Sequence, residues 1–230
     1  MRHSFMVLAA SAAVAVAGLV ASSASAAVVY NVQLGPFVTV AYTGTAAGPG
    51  SGTQTWNLMS GGTLNNITTA DGGSSTVDVV MGGTISGGFD NTSNLDNLLS
   101  GHYWLVGGNV RTFTIQGLPD GSYDLYAYNR NQVTGTYPTK VTIGAQNMVI
   151  DSIYNNSFDR YAAENQGHVW NVMKGISPVA GDVTFSLDTP NGTHYAQING
   201  FQLVVPEPAS LGLIGLSVVG LLTRRRQVSK

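Results

Sequence analysis

Turn-forming residues interrupt the middle of this chain at short intervals, and this spacing limits the folds it can adopt. Between residues 27 and 205, β-branched and aromatic runs alternate with Gly, Asn, Asp, Ser and Pro about every eight to twelve positions. Runs this short favour strands over helices. The pattern predicts an all-β fold, a jelly-roll-like antiparallel β-sandwich. The predicted strands are Val28–Leu34, Phe37–Tyr42, Thr53–Met59, Thr76–Met81, Val110–Gln116, Ser122–Asn129, Thr139–Ile143, Asn147–Asp151, His168–Met173, Val183–Leu187 and Ala196–Val204.

One short helix and one tight corner are also predicted. Ser93 can cap a helix in which Leu95, Leu98 and Leu99 form an apolar stripe, and Gly101 fits its end. Farther along the chain, Tyr123 follows a Pro-Asp-Gly turn. It has the position of the tyrosine in a sandwich corner, whose hydroxyl bonds to nearby backbone.

The N-terminus has the three parts of a secretory signal peptide. A basic start is followed by the apolar run Phe5–Val20 and then by small residues ending in Ala24-Ser25-Ala26. Signal peptidase needs small side chains beside the bond it cuts, so we expect cleavage after Ala26. The predicted organisation is therefore a signal peptide over residues 1–26 and a β-sandwich domain over residues 27–205.

The C-terminus has the features of a second targeting signal. Pro206-Glu207-Pro208 precedes an apolar stretch, Ala209–Leu222, and then Arg224, Arg225 and Arg226. The stretch is short for a membrane helix, which takes about 20 residues, and the arginines favour a cytoplasmic end. We interpret residues 206–230 as a sorting signal with a short transmembrane helix. An ordinary C-terminal anchor is the alternative.

This order of elements resembles the PEP-CTERM sorting signal. The resemblance implies a bacterium of Gram-negative type and an exosortase that cuts near Pro206-Glu207-Pro208 and releases or transfers the protein, which is then secreted or at the cell surface. Proteins with this signal are associated with extracellular polysaccharide and biofilm. The body resembles galactose-binding-like jelly-roll domains at Trp56-Asn57, at Gly117-Leu118 with Tyr123, and at Asn199–Leu203.

Composition excludes several functional classes. Five basic and eleven acidic residues lie between Ala27 and Val205, which gives this part a net charge of −6 and argues against nucleic-acid binding. No cysteine is present, so disulfides and thiolate chemistry are absent. The sequence has no G-x-S-x-G, H-E-x-x-H or Walker A motif. We expect neither catalysis nor a cofactor.

Metal binding has weak support. His102, His168 and His194 do not stand at ligand spacing. The segment Asp90–Asp96 has oxygen ligands on alternate residues but departs from a calcium loop at its third, sixth and twelfth positions. A structural calcium ion elsewhere in the domain stays open.

Aromatic and planar polar residues are the candidates for a ligand site, because sugars bind through an apolar face and a rim of hydroxyls. Period-two alternation places Asp124, Tyr126 and Tyr128 on one face of a strand. In the alternative, Tyr126 and Tyr128 face the core. Tyr103 and His194-Tyr195 are further loop-edge candidates. The predicted ligand-binding residues are Trp104, Asp124, Tyr126, Tyr128, Asn129 and Arg130.

The leading hypothesis is a secreted, noncatalytic surface or matrix protein that binds extracellular polysaccharide. Its expected processing partners are signal peptidase and an exosortase, with the membrane as a transient anchor. The second hypothesis is a structural matrix or adhesion protein that binds no sugar. The third is a polysaccharide-active enzyme, which would need two close carboxyl groups.

Overall fold

A computed structural model describes residues 28–35, 41–48, 53–83, 86–89, 98, 101–105, 109–130, 137–151, 166–190 and 195–205. These residues belong to one compact unit, Val28–Pro206, and contain fourteen strands and no α-helix. The predicted signal peptide, sorting signal and short helix lie outside the described residues, except for Leu98, which is buried.

The strands form three sheets. The first sheet has the order β11-β8-β14-β1-β2. Its strands are β1 (Val29–Leu34), β2 (Asn57–Met59), β8 (Tyr123–Tyr128), β11 (Trp170–Ile176) and β14 (Gly200–Val204). The second sheet has the order β10-β9-β12-β7-β4-β3. Its strands are β3 (Thr63–Leu64), β4 (Asp78–Gly82), β7 (Arg111–Gln116), β9 (Thr139–Ile143), β10 (Gln146–Ile150) and β12 (Val183–Asp188).

The third sheet is small and has the order β13-β6-β5. Its strands are β5 (Ser86–Phe89), β6 (Gly101–Leu105) and β13 (Ala196–Ile198). The paired strands of all three sheets are antiparallel except β1 and β2, which are parallel.

The two larger sheets enclose the core, as period-two alternation dictates. In β7, Phe113 and Ile115 are buried while Thr112 and Thr114 face outward. Phe113 stacks on Phe185 of the neighbouring strand at 5.1 Å between ring centroids. Phe201 of the first sheet meets both rings at 6.0 and 5.2 Å. The predicted all-β sandwich is thereby confirmed.

Most predicted strands match observed ones to within a few residues, and the differences are of four kinds. Asn199 divides the predicted strand Ala196–Val204 into β13 and β14. The predicted strand Thr53–Met59 is shorter in the structure, where it corresponds to β2 (Asn57–Met59). Strands β3, β5 and β6 were not predicted. Part of the predicted strand Phe37–Tyr42 lies outside the described residues, and Tyr42 is not in a strand.

The predicted tyrosine corner is present. The Tyr123 hydroxyl donates a hydrogen bond to the carbonyl oxygen of Pro119 at 2.7 Å, and the side chain is 1% exposed. The bond fixes the turn between β7 and β8 to the strand that leaves it.

Removing this hydroxyl should cost stability. We expect Tyr123→Phe to lower the free energy of unfolding by about 1 kcal/mol, because the ring stays in the core and one hydrogen bond is lost. Urea denaturation of residues 27–205 measures it. Tyr126→Phe is the matched control, since the Tyr126 hydroxyl has no hydrogen bond within the described residues. An equal loss in both variants would contradict a special role for the corner.

Gly200 stands where β14 passes closest to β1. A Cβ atom there would lie 2.6 Å from the carbonyl oxygen of Val32 and 3.0 Å from Cδ1 of Leu98. The backbone oxygen cannot move away without disturbing the β1–β14 pairing. The requirement for glycine is therefore steric.

We expect Gly200→Ala to destabilise the domain by about 1–3 kcal/mol, the usual cost of overpacking. Thermal or urea unfolding measures the change. Gly61→Ala is the matched control, because a Cβ atom at Gly61 meets nothing within 4 Å. A Gly200→Ala domain as stable as the wild type would refute the steric reading.

Candidate functional site

Strand β8 divides its side chains between two environments. Tyr123, Leu125 and Ala127 lie in the main core between the sheets. Asp124, Tyr126 and Tyr128 lie on the opposite face, as the first of the two sequence readings places them. Tyr128 joins a second, smaller apolar cluster on this outer face, which also contains Trp56, Leu98, Val169 and Trp170.

Tyr128 is covered by residues 41–48, which we call the strap. Its side chain is fully buried. Its hydroxyl donates a hydrogen bond to Oε1 of Gln202 and accepts one from the backbone N–H of Gly48 at 3.2 Å. Burial raises the pKa of Tyr128. In this conformation the strap occupies the position from which a ligand would reach Tyr128.

A layer of buried amide side chains lies beside Tyr128. Gln202 donates to Oδ1 of Asn31 at 2.8 Å and to Oε1 of Gln54 at 3.1 Å. Asn31 also donates to Gln54, at 3.1 Å, and Gln33 accepts the backbone N–H of Tyr42 at 2.7 Å. These bonds satisfy polar groups that would be costly to bury alone. They tie the strap and the sheet together.

Asp124 and Tyr126 have different surroundings. Asp124 accepts a hydrogen bond from the backbone N–H of Gly175 at 3.1 Å, at a β-bulge between Met173 and Ile176. Tyr126 is partly buried, and its ring centroid lies 6.0 Å from that of Trp170. Burial and, to a smaller extent, Asp124 raise the pKa of Tyr126. Asp124 therefore supports an edge strand.

Three aromatic rings form a partly exposed cluster where the third sheet meets the loops. The Trp104 and Tyr195 centroids lie 5.2 Å apart, edge to face, and Tyr137 lies 6.0 Å from Tyr195. Tyr195 is 44% exposed, while Trp104 and Tyr137 are partly buried. We call Trp104, Tyr137 and Tyr195 the aromatic cluster. Such rings offer the apolar surface and polar edges that a sugar ring requires.

Buried polar groups hold the aromatic cluster in place. Gln197 pairs with Trp104 across the strands, and its side chain donates to the carbonyl oxygen of Arg130. The Asn129 side chain donates to the carbonyl oxygen of Tyr137 at 3.1 Å and to Oγ1 of Thr139 at 2.8 Å. These contacts connect the aromatic cluster to the end of β8.

Asn199 also contacts the end of β8, because its side-chain Oδ1 accepts a hydrogen bond from the backbone N–H of Arg130 at 2.7 Å. Asn199 is the residue at which β13 gives way to β14. The same hydrogen-bonded group therefore fixes the end of β8 and the break between two strands.

The structure brings together three of the six predicted ligand-binding residues, Trp104, Asn129 and Arg130, and sets the other three apart. Asn129 and Arg130 are buried. The predicted set as a whole stays a prediction. Sequence reasoning singled out Tyr195 as a loop-edge residue but missed Tyr137 and Gln197. Their approach to Trp104 depends on pairings between distant segments.

The aromatic cluster and the C-terminal exit lie at opposite ends of the domain. Gly200 pairs with Tyr128 at the end of β8, whereas Val204 pairs with Asp124 near its start. Val205 then donates its backbone N–H to the carbonyl oxygen of Val28 at 2.9 Å. We call the end with Val28 and Val205 the tether end, and the end with the aromatic cluster the aromatic end.

Within the described ranges, no group of three or more His, Cys, Asp or Glu side chains could hold a metal ion. The imidazole of His168 lies 3.5 Å from Asp151, with both side chains about half exposed. A structural calcium ion stays a prediction.

Residues 204–226 match the family model described as the PEP-CTERM protein-sorting motif. The C-terminus thus carries a PEP-CTERM sorting motif, which implies exosortase processing. It also implies an extracytoplasmic, secreted protein with a transient membrane anchor. Among the residues that the structure describes, none forms a helix long and apolar enough to cross a membrane.

No curated protein sequence matches the chain. Among solved structures, it is similar to the CBM36-1 domain of a multidomain xylanase from the hindgut metagenome of Trinervitermes trinervoides. Identity is 16%, the TM-score is 0.35, and the match covers 54% of this chain and 87% of that chain.

A family 35 carbohydrate binding module from Clostridium thermocellum matches with 11% identity and a TM-score of 0.35, over 54% of this chain and 90% of that chain. The ANX2 ectodomain from Arabidopsis thaliana matches with 11% identity and a TM-score of 0.43, over 78% of this chain and 42% of that one. The fold assignment rests on the strand pairing described above.

Alkaline pH should destabilise this fold. Burial raises the pKa of Tyr103 and of Tyr123 to about 12, against about 10 in an unfolded chain. Between pH 10 and pH 12 these tyrosines lose their protons in the unfolded chain but keep them in the folded one. Their contribution to the free energy of unfolding is therefore fully present below pH 10 and is lost as the pH rises toward 12. Thermal unfolding from pH 8 to 12 measures the decline, and Tyr123→Phe should reduce it. A melting temperature constant to pH 12 would contradict this expectation.

Proposed function

We propose that this chain is a noncatalytic polysaccharide-binding protein, exported by a bacterium of Gram-negative type and sorted by an exosortase to the cell surface or matrix. The observation that carries the proposal is the aromatic cluster at one end of the sandwich, in which Tyr195 is exposed while Trp104 and Tyr137 are partly buried, beside buried amide side chains. Soluble domains rarely leave such rings together at the surface without a partner.

The position of the aromatic cluster supports an extracellular role. The chain continues toward Pro206 from the tether end, and the aromatic cluster lies at the other end. Signal peptidase and an exosortase are the proposed processing partners, and exopolysaccharide is the proposed ligand.

Two alternatives remain in competition. A structural matrix protein would need no sugar, and the exposed Val110 and Val179 side chains are small apolar contacts of the kind it could use. A polysaccharide-active enzyme would need two carboxyl groups about 5–9 Å apart.

Binding of residues 27–205 to a polysaccharide panel, including the host's own exopolysaccharide, tests the proposal with and without calcium. We expect saturable binding that weakens about tenfold or more in Trp104→Ala or Tyr195→Ala, because large aromatic contacts dominate such surfaces. Val179→Ala is the control. It truncates a side chain that is 79% exposed at the tether end.

Absence of binding to every polysaccharide by a folded sample would overturn the proposal. Equal weakening in the Val179→Ala control would show that the aromatic cluster is not the binding surface. Release of soluble sugar during the assay would favour the enzyme.

A further inference from the structure

The strap is held on the outer face of the first sheet mainly through its backbone. The backbone N–H of Tyr42 donates a hydrogen bond to Oε1 of Gln33 at 2.7 Å, and that of Gly48 donates one to Oε1 of Gln202 at 3.0 Å. Both acceptors are buried amide side chains of the first sheet, on β1 and β14. The sheet therefore binds the strap as a docking site binds a peptide, through hydrogen bonds to main-chain groups.

The side chains of the strap bring little apolar surface to this contact apart from Tyr42. Ala46 and Ala47 pack on the smaller apolar cluster with one methyl group each, and Tyr42 packs on Trp56 at 5.7 Å between ring centroids. Nε1 of Trp56 also donates a hydrogen bond to the carbonyl oxygen of Gly44 at 3.0 Å. A buried methyl group contributes far less than a large side chain. The strap is thus attached more by hydrogen bonds, which water can replace, than by its own apolar groups.

The closed strap leaves one buried donor of the amide layer unsatisfied. Oε1 of Gln54 accepts hydrogen bonds from Asn31 and Gln202, at 3.1 Å each, but Nε2 of Gln54 has no hydrogen-bond partner among the described residues. Gln54 is 3% exposed. A buried donor without a partner destabilises the state that buries it, and an acceptor from water or from a ligand relieves this cost. The closed state is therefore poised to open.

Gly48 is the point of closest approach between the strap and the amide layer. A Cβ atom added at Gly48 would lie 2.6 Å from Oε1 of Gln202. Gln202 cannot turn away freely, because its amide also binds Asn31 and the hydroxyl of Tyr128. A side chain at this position therefore pushes the strap off the sheet, and glycine is the residue that allows the strap to close.

We propose that the strap is an intramolecular occupant of a peptide-docking face. It opens as a local unit while the sandwich stays folded, and a peptide segment rich in glycine and alanine from another chain takes its place over Tyr128 and the amide layer. The strap itself defines this ligand class, because its small residues lie against the rings and its backbone N–H groups bind the amides. The face is distinct from the aromatic cluster and does not depend on polysaccharide binding.

Native-state hydrogen exchange of residues 27–205 tests the opening. The backbone N–H groups of Tyr42 and Gly48 are bound to the sheet only while the strap is closed. We expect them to exchange about a hundredfold or more faster than the N–H groups of β7, with little dependence on low denaturant, because a local opening exposes little surface. Equal rates and equal denaturant dependence in the strap and in β7 would overturn the proposal, since the strap would then open only with the whole domain.

A labelled synthetic peptide with the sequence of residues 41–48 tests the docking face. We expect it to bind the Gly48→Ala domain about tenfold or more tightly than the wild type, because the wild-type strap excludes the peptide and the variant strap seats poorly. Gly61→Ala is the matched control, since an added Cβ atom there meets nothing within 4 Å, and it should behave as the wild type. A control peptide with alanine at its last position should bind about tenfold or more weakly than the glycine peptide.

The outcomes separate this proposal from polysaccharide binding. A folded Gly48→Ala domain that fails to bind the peptide would overturn the docking face, and so would equal affinity for the glycine and alanine peptides. The exchange of β7 in the same sample shows whether the variant is folded. Polysaccharide binding at the aromatic end should be unchanged in Gly48→Ala, so loss of one activity with retention of the other identifies which proposal has failed.

Discussion

The structure depends on the pairing of β14 with β1 on one side and β8 on the other. β14 is the central strand of the first sheet. Its alternating side chains serve both faces, because Phe201 and Leu203 enter the core while Gln202 enters the amide layer. Gly200 permits the close approach to β1, and Asn199 fixes the end of β8. One short segment therefore positions the core, the outer face and the aromatic end.

The outer face of the first sheet shows that period-two alternation predicts which side chains leave the core but does not predict whether they are exposed to a ligand. Tyr128 has the spacing of a surface aromatic residue, yet the strap and the amide layer enclose it. Once several buried amides satisfy one another, each removal leaves an unpaired polar group, which is costly. The outer face therefore combines an apolar cluster with a layer of hydrogen-bonded amides. The partly exposed aromatic cluster lies at the loop end instead.

The sequence predicted those elements that are determined by neighbouring residues, such as the strand β7 and the tyrosine corner. The alternation of Phe113 and Ile115 and the corner at Tyr123 could be read directly from the chain. Strand β5 could not, because its Ser-Gly-Gly-Phe sequence has low strand propensity and forms through pairing with β6. One of the three rings of the aromatic cluster was equally hidden. Tyr137 reaches Tyr195 across distant segments, and single-sequence spacing contains no such contact.

Both ends of the described domain lie at the tether end. Val28 and Val205 are joined by a backbone hydrogen bond at the tether end, and the matched sorting motif already begins at residue 204, within β14. Of the seven carboxylates that the structure describes, five lie at this end, while the aromatic cluster, Arg111 and Arg130 lie at the opposite end. The two ends of the described domain therefore meet at one end of the sandwich, and the partly exposed aromatic cluster lies at the other.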